Sequence, residues 1–275
     1  MNAPLDHRTN PYRDDLAAAF LKDRIKAARY VEGEDMRIAI GLASLHDAPD
    51  SQTPAATQLL YGETFTVFDE GDDWAWGQNA TDGYVGYLPA EVLSPQGNAA
   101  THSISVLRTF VYRRPDMKAP ACDLLSMNAR VTILDEEAGF ARIDRDAWVF
   151  LPHLSPMDQH ESDIAKTALS FLGTPYLWGG RSSLGLDCSA LVQMSLLRAG
   201  MACPRDSDLQ KSVLGSVVPA DEPIQRGDII FSPGHVAIAV DATHAVHANG
   251  HKMMVTVNPI AELFKPGLSI IRRLG

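Results

Sequence analysis

Short runs in which apolar and polar residues alternate dominate the chain from residue 32 to residue 156. Runs such as "TFTVF" and "YVGYLP" are rich in β-branched and aromatic residues and are bounded by Gly, Asp or Pro. Alternation with a period of two is typical of strands that bury one face. The pattern predicts a small antiparallel barrel of about five or six strands over residues 32–97.

The same order of runs occurs a second time. "SISVLRTFVYRRPD", "DLLSMNARVTILDEE" and "FARIDRDAWVFLPHLSP" follow the order of "SLHDAPD", "QLLYGETFTVFDEG" and "YVGYLPAEVLSP". Such self-similarity indicates an internal repeat. We therefore predict a second barrel over residues 103–156, joined to the first through the linker "SPQGNAA".

Helical patterns occur in the N-terminal segment and directly after Pro156. "DDLAAAFLKDRIKAARY" carries apolar residues at helical spacing behind two aspartates, which predicts a helical N-terminal segment over residues 1–31. After Pro156, "DIAKTALSFLG" and residues 189–199 read as helices that end near Gly173 and Gly200. The short runs "DIIF", "HVAIAV", "HAVHA", "MMVTV" and "SIIRRL" come next, so residues 158–275 are predicted to form an α+β domain.

Length and charge limit the function classes. A chain of 275 residues is long enough for two or three units, and 45% apolar with 21% charged residues is typical of a globular protein. The net charge of -10 argues against binding to nucleic acid or to an anionic membrane. No stretch approaches the ~20 apolar residues of a membrane span, and "MNAPLDHRTNPYRDD" has no apolar core of a signal peptide.

The chain has three cysteines, Cys122, Cys188 and Cys203, with no C-x-x-C spacing. This set fits neither a disulfide framework nor a thiolate zinc site. Together with the absence of a signal peptide, it leads us to expect a cytoplasmic protein, and we interpret Cys122 and Cys203 as structural.

One of these thiols stands where a helix begins, in "GLDCSALVQM". Asp187 occupies a position suited to an N-cap, Gly185 is placed to allow a tight turn into the helix, and Cys188 is the first helical residue. The positive end of the helix is expected to lower the pKa of the thiol. The alternative is a small residue packed at a helix start, because free cysteine is often buried.

Histidines favour the reactive interpretation. His235 opens the run "HVAIAV" and His247 lies in the next run, so a hairpin between them would place both on facing strands. A cysteine nucleophile needs such a base and a group that orients the base. His244, His247 and His251 do not share one helical face, so no metal is expected, and no other cofactor is implied. Serine chemistry is not indicated, because no G-x-S-x-G motif occurs.

Five blocks occur in the order seen in the NlpC/p60 family of papain-like bacterial cell-wall cysteine peptidases: "TPYLWGG", "LDCSALVQMSLLRAG", "PRDSDLQ", "RGDIIFSPGHVAIAV" and "HAVHANG". The resemblance covers roughly residues 163–275, and the upstream repeats resemble bacterial SH3-like domains. It implies two SH3-like β-barrels followed by an α+β papain-like domain. It also implies that Cys188 is the nucleophile, His235 the base and His247 the third polar residue.

The architecture resembles the γ-D-glutamyl-L-diamino acid endopeptidases of this family. That implies murein-derived peptides with a free N-terminal L-Ala-γ-D-Glu as substrates, in recycling of soluble wall fragments. Further site residues are implied by the resemblance. Asp206 and Ser207 look like the pair that receives the free amino end, Trp178, Asp187 and Ser189 look like pocket residues, and Tyr84 resembles an aromatic that closes the pocket.

The residues alone leave alternatives open at several of these positions. "PRDSD" also reads as a helix N-cap, and Tyr84 as a buried barrel aromatic. Two other function classes remain, a non-catalytic peptide-binding protein and an acyltransferase on the same scaffold.

Overall fold

The computed structural model describes residues 5–265 and 267–275. The chain forms two compact units. Of the described residues, the first unit holds 5–101, 110–125 and 129–149, and the second holds 102–109, 126–128 and 150–275 except Pro266. The stretch predicted as the second barrel therefore contributes residues to both units.

The predicted N-terminal helix is wrong. Residues 16–31 form two short parallel strands, β1 Leu16–Ala18 and β2 Arg29–Val31, with one 3₁₀ turn at Ala19–Leu21. All three residues of β1 are buried in an apolar cluster with Phe68 and Trp76. A helix would expose part of a run of consecutive apolar residues, so tertiary packing overrides the helical spacing. Residues 1–4 of the predicted segment lie outside the described residues.

Residues 32–97 form antiparallel strands as predicted, but the sheet has seven strands rather than five or six, in the order β5-β4-β8-β7-β6-β3-β9. Its strands are β3 Glu34–Ile38, β4 Leu42–His46, β5 Ala55–Leu60, β6 Thr64–Gly71, β7 Trp74–Asn79, β8 Val85–Pro89 and β9 Leu93–Pro95. A 3₁₀ helix, Ala90–Val92, precedes β9. In β6 the side chains of Phe65 and Val67 are buried while Thr64 and Thr66 are not, which is the period-two pattern that the sequence displays.

Eight further strands follow over residues 102–156. They are β10 His102–Ile104, β11 Arg108–Tyr112, β12 Ala121–Ser126, β13 Arg130–Val131, β14 Asp135–Glu137, β15 Phe140–Asp144, β16 Ala147–Phe150 and β17 Leu154–Pro156. A 3₁₀ helix, Leu151–His153, precedes β17. Five of them form a sheet in the order β12-β11-β16-β15-β14, and β10 pairs with β17.

The C-terminal part of the chain is α+β as predicted. Its elements are α1 Ile164–Ser170, β18 Arg181–Ser182, β19 Gly185–Leu186, α2 Cys188–Arg198, α3 Ser207–Val213, β20 Ser216–Val217, β21 Ile229–Ser232, β22 His235–Ala239, β23 His244–Asn249, β24 Met254–Pro259, α4 Ile260–Leu263 and β25 Ile270–Arg273. An antiparallel sheet runs in the order β20-β25-β21-β22-β23-β24. Helices α1 and α2 pack on β22 and β23.

Helix α2 is the buried helix of this layer. Every residue from Ser189 to Leu196 is buried, so the helix is enclosed on all sides rather than presenting one apolar face. Its N-terminus is thereby held against β22. Within residues 5–265 and 267–275, no helix is both long enough and apolar enough to cross a membrane.

Candidate active site

The thiol of Cys188 lies at the N-terminus of α2. Asp187 is the N-cap residue, and its Oδ1 accepts a hydrogen bond of 2.9 Å from the Ala190 backbone N–H, as predicted. Gly185 is required for a different reason than the sequence suggested. A Cβ at this position would lie 2.8 Å from Leu177 Cβ, so the glycine permits close packing rather than a turn.

His235 is positioned by a two-residue turn between β21 and β22. Ser232 pairs with His235, and the connecting residues are Pro233 and Gly234, the latter at φ +70°. Proline followed by a residue at positive φ is the signature of a type II turn, which Gly tolerates without strain. His235 is therefore fixed as the first residue of β22, which packs against α2.

His247 joins His235 on one face of the sheet. The ladder pairs Ile238 with Val246 and Ala239 with Ala245, so His235 and His247 are diagonal neighbours rather than directly opposite. His235 Nε2 is 2.8 Å from His247 Nδ1, and the rings meet edge to face at 81°. The predicted pairing of the two histidines through a hairpin is confirmed, with this diagonal offset.

The electrostatics of the thiol differ from the sequence expectation. Burial, with the neighbouring Asp187 carboxylate, raises the pKa of Cys188 above its ordinary value, although hydrogen bonds from the Val236 and Ser189 backbone N–H groups oppose this. This direction is opposite to the lowering that the helix end alone predicts. Desolvation of the thiolate and a carboxylate one residue away outweigh the helix terminus.

The histidines are neutral for the same reason. Burial, with repulsion from the protonated forms of His247 and His251, lowers the pKa of His235 to about 4. Burial also lowers the pKa of His247, against a hydrogen bond with Asn258 that raises it. A raised thiol pKa beside a lowered imidazole pKa means that Cys188 and His235 are both neutral at pH 7.

A buried ion pair supports the helix tip. Arg205 donates to both oxygens of Asp187, at 3.0 Å to Oδ1 and 2.6 Å to Oδ2. The Gly179 backbone N–H also donates to Oδ2, and the Ser189 hydroxyl donates to Oδ1 while accepting from Arg205. The side chains of Arg205 and Asp187 are only 1% and 10% exposed. This network anchors the first turn of α2.

Tyr176 is a site residue that the sequence reasoning missed. Its segment runs alongside the strand that leads into α2, with a parallel bridge to Leu186. Burial and the charges of Cys188 and Asp187 raise the pKa of Tyr176 to about 12, so its hydroxyl stays protonated. The available signal was its place in the block "TPYLWGG".

Two sequence families account for most of the chain. Residues 45–93 match the bacterial dipeptidyl-peptidase Sh3 domain, and residues 173–270 match the NlpC/P60 family. The chain carries an Sh3 domain followed by an NlpC/P60 domain. The resemblance seen in the sequence is confirmed.

Curated relatives match this chain over most of their length. The chain is 26% identical to dipeptidyl-peptidase 6 of Lysinibacillus sphaericus, over 80% of this chain and 90% of that protein. It is 28% identical to the gamma-D-glutamyl-L-lysine dipeptidyl-peptidase of Bacillus cereus, over 74% of this chain and 70% of that protein. A solved NlpC/P60 family protein from Bacillus cereus shares the fold, with a TM-score of 0.74 at 23% identity over 87% of this chain and 99% of that chain. The protein is a peptidase.

The NlpC/P60 domain places the other predicted site residues in different surroundings. Trp178 is 71% exposed, whereas Asp187 and Ser189 are buried in the Arg205 network. Asp206 and Ser207 are half-buried where α3 begins. Asp206 is the N-cap residue of α3 by its backbone, because its carbonyl accepts a hydrogen bond from the Gln210 N–H. Its carboxylate makes no capping hydrogen bond to the described residues of the helix, so the N-cap alternative holds only for the backbone.

Tyr84 belongs to the Sh3 domain and is 6% exposed in an apolar cluster with Leu45 and Phe65. This is the packing that the alternative interpretation describes. Its role in closing a substrate pocket stays a prediction.

Alkylation of the full chain tests the pKa of the Cys188 thiol. We expect the iodoacetamide labelling rate of Cys188 to rise steeply with pH through the range in which free cysteine titrates and beyond it, because only the thiolate reacts and its pKa is raised. The measurement uses Cys122→Ala, which removes the exposed thiol, with glutathione as the reference. A rate that is already at its plateau near pH 6 would contradict a neutral thiol.

Proposed function

We propose that this protein is a cysteine peptidase that hydrolyses the γ-D-glutamyl–diamino acid bond of peptidoglycan-derived peptides with a free N-terminal L-Ala. The observation that carries the proposal is that the helix-tip thiol accepts a hydrogen bond from the backbone N–H of Val236, the residue after His235. His235 Nε2 is in turn 2.8 Å from His247 Nδ1, and all of these residues lie in the NlpC/P60 domain. The names of the relatives, among them gamma-D-glutamyl-L-lysine dipeptidyl-peptidase, support the substrate class.

The reaction follows from the protonation states of the site. Neutral His235 takes the proton of the Cys188 thiol as the sulfur attacks the carbonyl carbon of the γ-D-glutamyl amide. The tetrahedral intermediate collapses when His235 gives this proton to the departing amine, which leaves a thioester. Water then attacks the thioester, His235 accepts a proton from that water, and the proton returns to sulfur as the peptide acid leaves.

Two donors are placed to stabilise the oxyanion. The Cys188 backbone N–H lies in the first turn of α2, where N–H groups have no intrahelical partner. The Tyr176 hydroxyl is the second donor that we assign, because Tyr176 bridges to Leu186, two residues before Cys188, and interacts electrostatically with Cys188.

Recognition of the substrate's free amino end is assigned to Asp206 and Ser207. An ammonium group buried without a counter-charge costs several kcal/mol, so a carboxylate is needed where it binds. Asp206 directly follows Arg205, which holds the N-cap of α2, so the chain carries this carboxylate to the region of the nucleophile. Asp187 and Ser189 act through the helix tip in this proposal, and exposed Trp178 lines the pocket.

We propose a second SH3-like barrel over residues 103–156 beside the first over 32–97, with the papain-like catalytic domain at 158–275. The strand order β12-β11-β16-β15-β14 repeats β5-β4-β8-β7-β6 member for member, and both β9 and β17 are "LSP" after a 3₁₀ helix. The turn residues Gly62 and Asn128 share positive φ and donate equivalent backbone hydrogen bonds of 2.9 Å to Ile38 and Ile104.

A cytoplasmic role in recycling of wall peptides completes the proposal. All three cysteines, which lie within the described residues, are free thiols, as expected in a reducing compartment. The net charge of -10 disfavours adhesion to an anionic wall or membrane. Soluble peptides are therefore the substrates that we assign, rather than intact murein.

The substrate assignment predicts dependence on a free amino end. We expect L-Ala-γ-D-Glu-diaminopimelate to be cleaved with a kcat/KM at least about 100-fold above that of its N-acetylated analogue, because the Asp206 carboxylate loses its partner. Asp206→Asn should remove most of this preference by slowing cleavage of the free peptide. Mass spectrometry of the products measures both. Equal cleavage of the two peptides would contradict the Asp206 assignment.

The same assay separates the other function classes. An acyltransferase would give a new amide when an amine is added, whereas a hydrolase gives the free dipeptide acid. A binding protein would leave the peptide intact.

A further inference from the structure

A histidine in the third position of a cysteine site needs a determinant for its own tautomer. This need rests on the proposed function, in which His235 takes the Cys188 proton. If His247 carried its proton on Nδ1, it would donate to His235 Nε2. His235 would then hold its proton on Nδ1 and would have no lone pair there for the thiol proton. The reverse tautomer of His247 makes His235 a base.

The group facing the far nitrogen of His247 is Asn258. His247 Nε2 is 3.3 Å from Asn258 Oδ1. In the ladder between β23 and β24, Thr256 pairs with His247 and Asn258 lies two residues further along the same strand. Both side chains therefore lie on the face of the sheet that carries His247.

The orientation of the Asn258 amide is set by Glu262 and is accommodated by Thr256, whose hydroxyl can donate or accept. Asn258 Nδ2 is 2.8 Å from Glu262 Oε2, a carboxylate oxygen that only accepts. Asn258 Oδ1 lies 2.9 Å from the Thr256 hydroxyl, which donates to it. The amide oxygen thus faces His247, so His247 Nε2 must carry the hydrogen. His247 Nδ1 is then the acceptor of the 2.8 Å bond, and His235 Nε2 is the donor.

We propose that Asn258, held in orientation by Glu262, is a positioning residue that fixes the tautomers of His247 and His235 and so leaves the Nδ1 lone pair of His235 for the Cys188 proton. The chain of bonds runs from an exposed carboxylate on α4 through a half-buried amide to a histidine that is 3% exposed. Each member dictates the donor or acceptor role of the next.

The test is ¹⁵N NMR of the histidine side chains in the full chain, which distinguishes protonated from unprotonated ring nitrogens. At pH 7 we expect His247 and His235 to be neutral with the hydrogen on Nε2. In Asn258→Leu, which has no acceptor, we expect a substantial population of His247 with the hydrogen on Nδ1. Its kcat should fall about 10- to 100-fold with little change in KM, as for loss of an orienting partner.

Matched variants separate this role from a structural one. Asn258→Asp keeps an oxygen facing His247, so the wild-type tautomers should persist. Glu262→Gln removes the constraint on the amide and should give mixed tautomers, whereas Glu222→Gln, an exposed carboxylate paired with Arg273, should change neither spectrum nor rate. If Asn258→Leu does not fold, the Glu262→Gln and Asn258→Asp spectra decide.

The result that overturns the proposal is a folded Asn258→Leu or Glu262→Gln protein whose His247 keeps its hydrogen wholly on Nε2. Because the spectra need no substrate, this outcome is distinct from failure of the proposed function. A protein with the expected tautomers that leaves the peptide uncleaved would contradict the proposed function but not the tautomer assignment.

Discussion

Cys188→Ala is expected to abolish peptide hydrolysis, with a fall in kcat of about 10⁵-fold or more and no loss of fold. The sulfur forms the thioester in the proposed reaction, and no other group in the helix tip can replace it. The substitution removes only the sulfur atom, from a half-buried position at the first residue of α2. The helix and its cap should therefore remain. Single-turnover assays with the free-amine peptide, together with circular dichroism, measure both parts.

The matched control is the same substitution at another thiol. Cys122 lies exposed on β12, where its sulfur contacts the Val111 carbonyl, and Cys122→Ala should keep full activity. Substantial turnover by Cys188→Ala, or an equal loss in both variants, would contradict the assignment of the nucleophile.

Arg205→Met is expected to lower the free energy of unfolding of the catalytic unit by about 3–5 kcal/mol. Arg205 is 1% exposed on its side chain and donates to both oxygens of Asp187, which is 10% exposed. Removing the guanidinium leaves a buried carboxylate without its counter-charge at the N-terminus of α2. Urea-induced unfolding measures this loss of stability. Peptide hydrolysis should also slow, because the N-terminus of α2 carries Cys188 and would be displaced.

The chain contains a second capped ion pair that is much more exposed. Asp163 caps α1 through the Lys166 N–H and binds Arg226, just as Asp187 caps α2 and binds Arg205. The side chains of Arg226 and Asp163 are 42% and 35% exposed, so Arg226→Met should cost about 1 kcal/mol or less. Similar losses in Arg205→Met and Arg226→Met would show that burial of the ion pair is not what stabilises the helix tip.

Local patterns predicted most of the elements that build the site. The alternation in "HVAIAV" and "HAVHA" and the cap "LDCS" led to β22, β23 and α2 within one or two residues. These signals are reliable because they depend on near neighbours in the chain, through turn chemistry, capping and burial of one face. The N-terminal segment failed for the converse reason. Its helical spacing was outweighed by contacts of Leu16 and Ala17 with residues far along the chain.

The sequence by itself determined the chemistry that this protein can perform, because a helix-tip cysteine, two strand histidines and the order of five blocks are all local features. Only the tertiary structure decided the protonation of that chemistry. Burial raises the pKa of Cys188 and lowers that of His235, and the bonds from Glu262 through Asn258 to His247 set which nitrogen is the base. Desolvation and hydrogen-bond polarity depend on which groups meet in space, and residue spacing along a chain does not encode that.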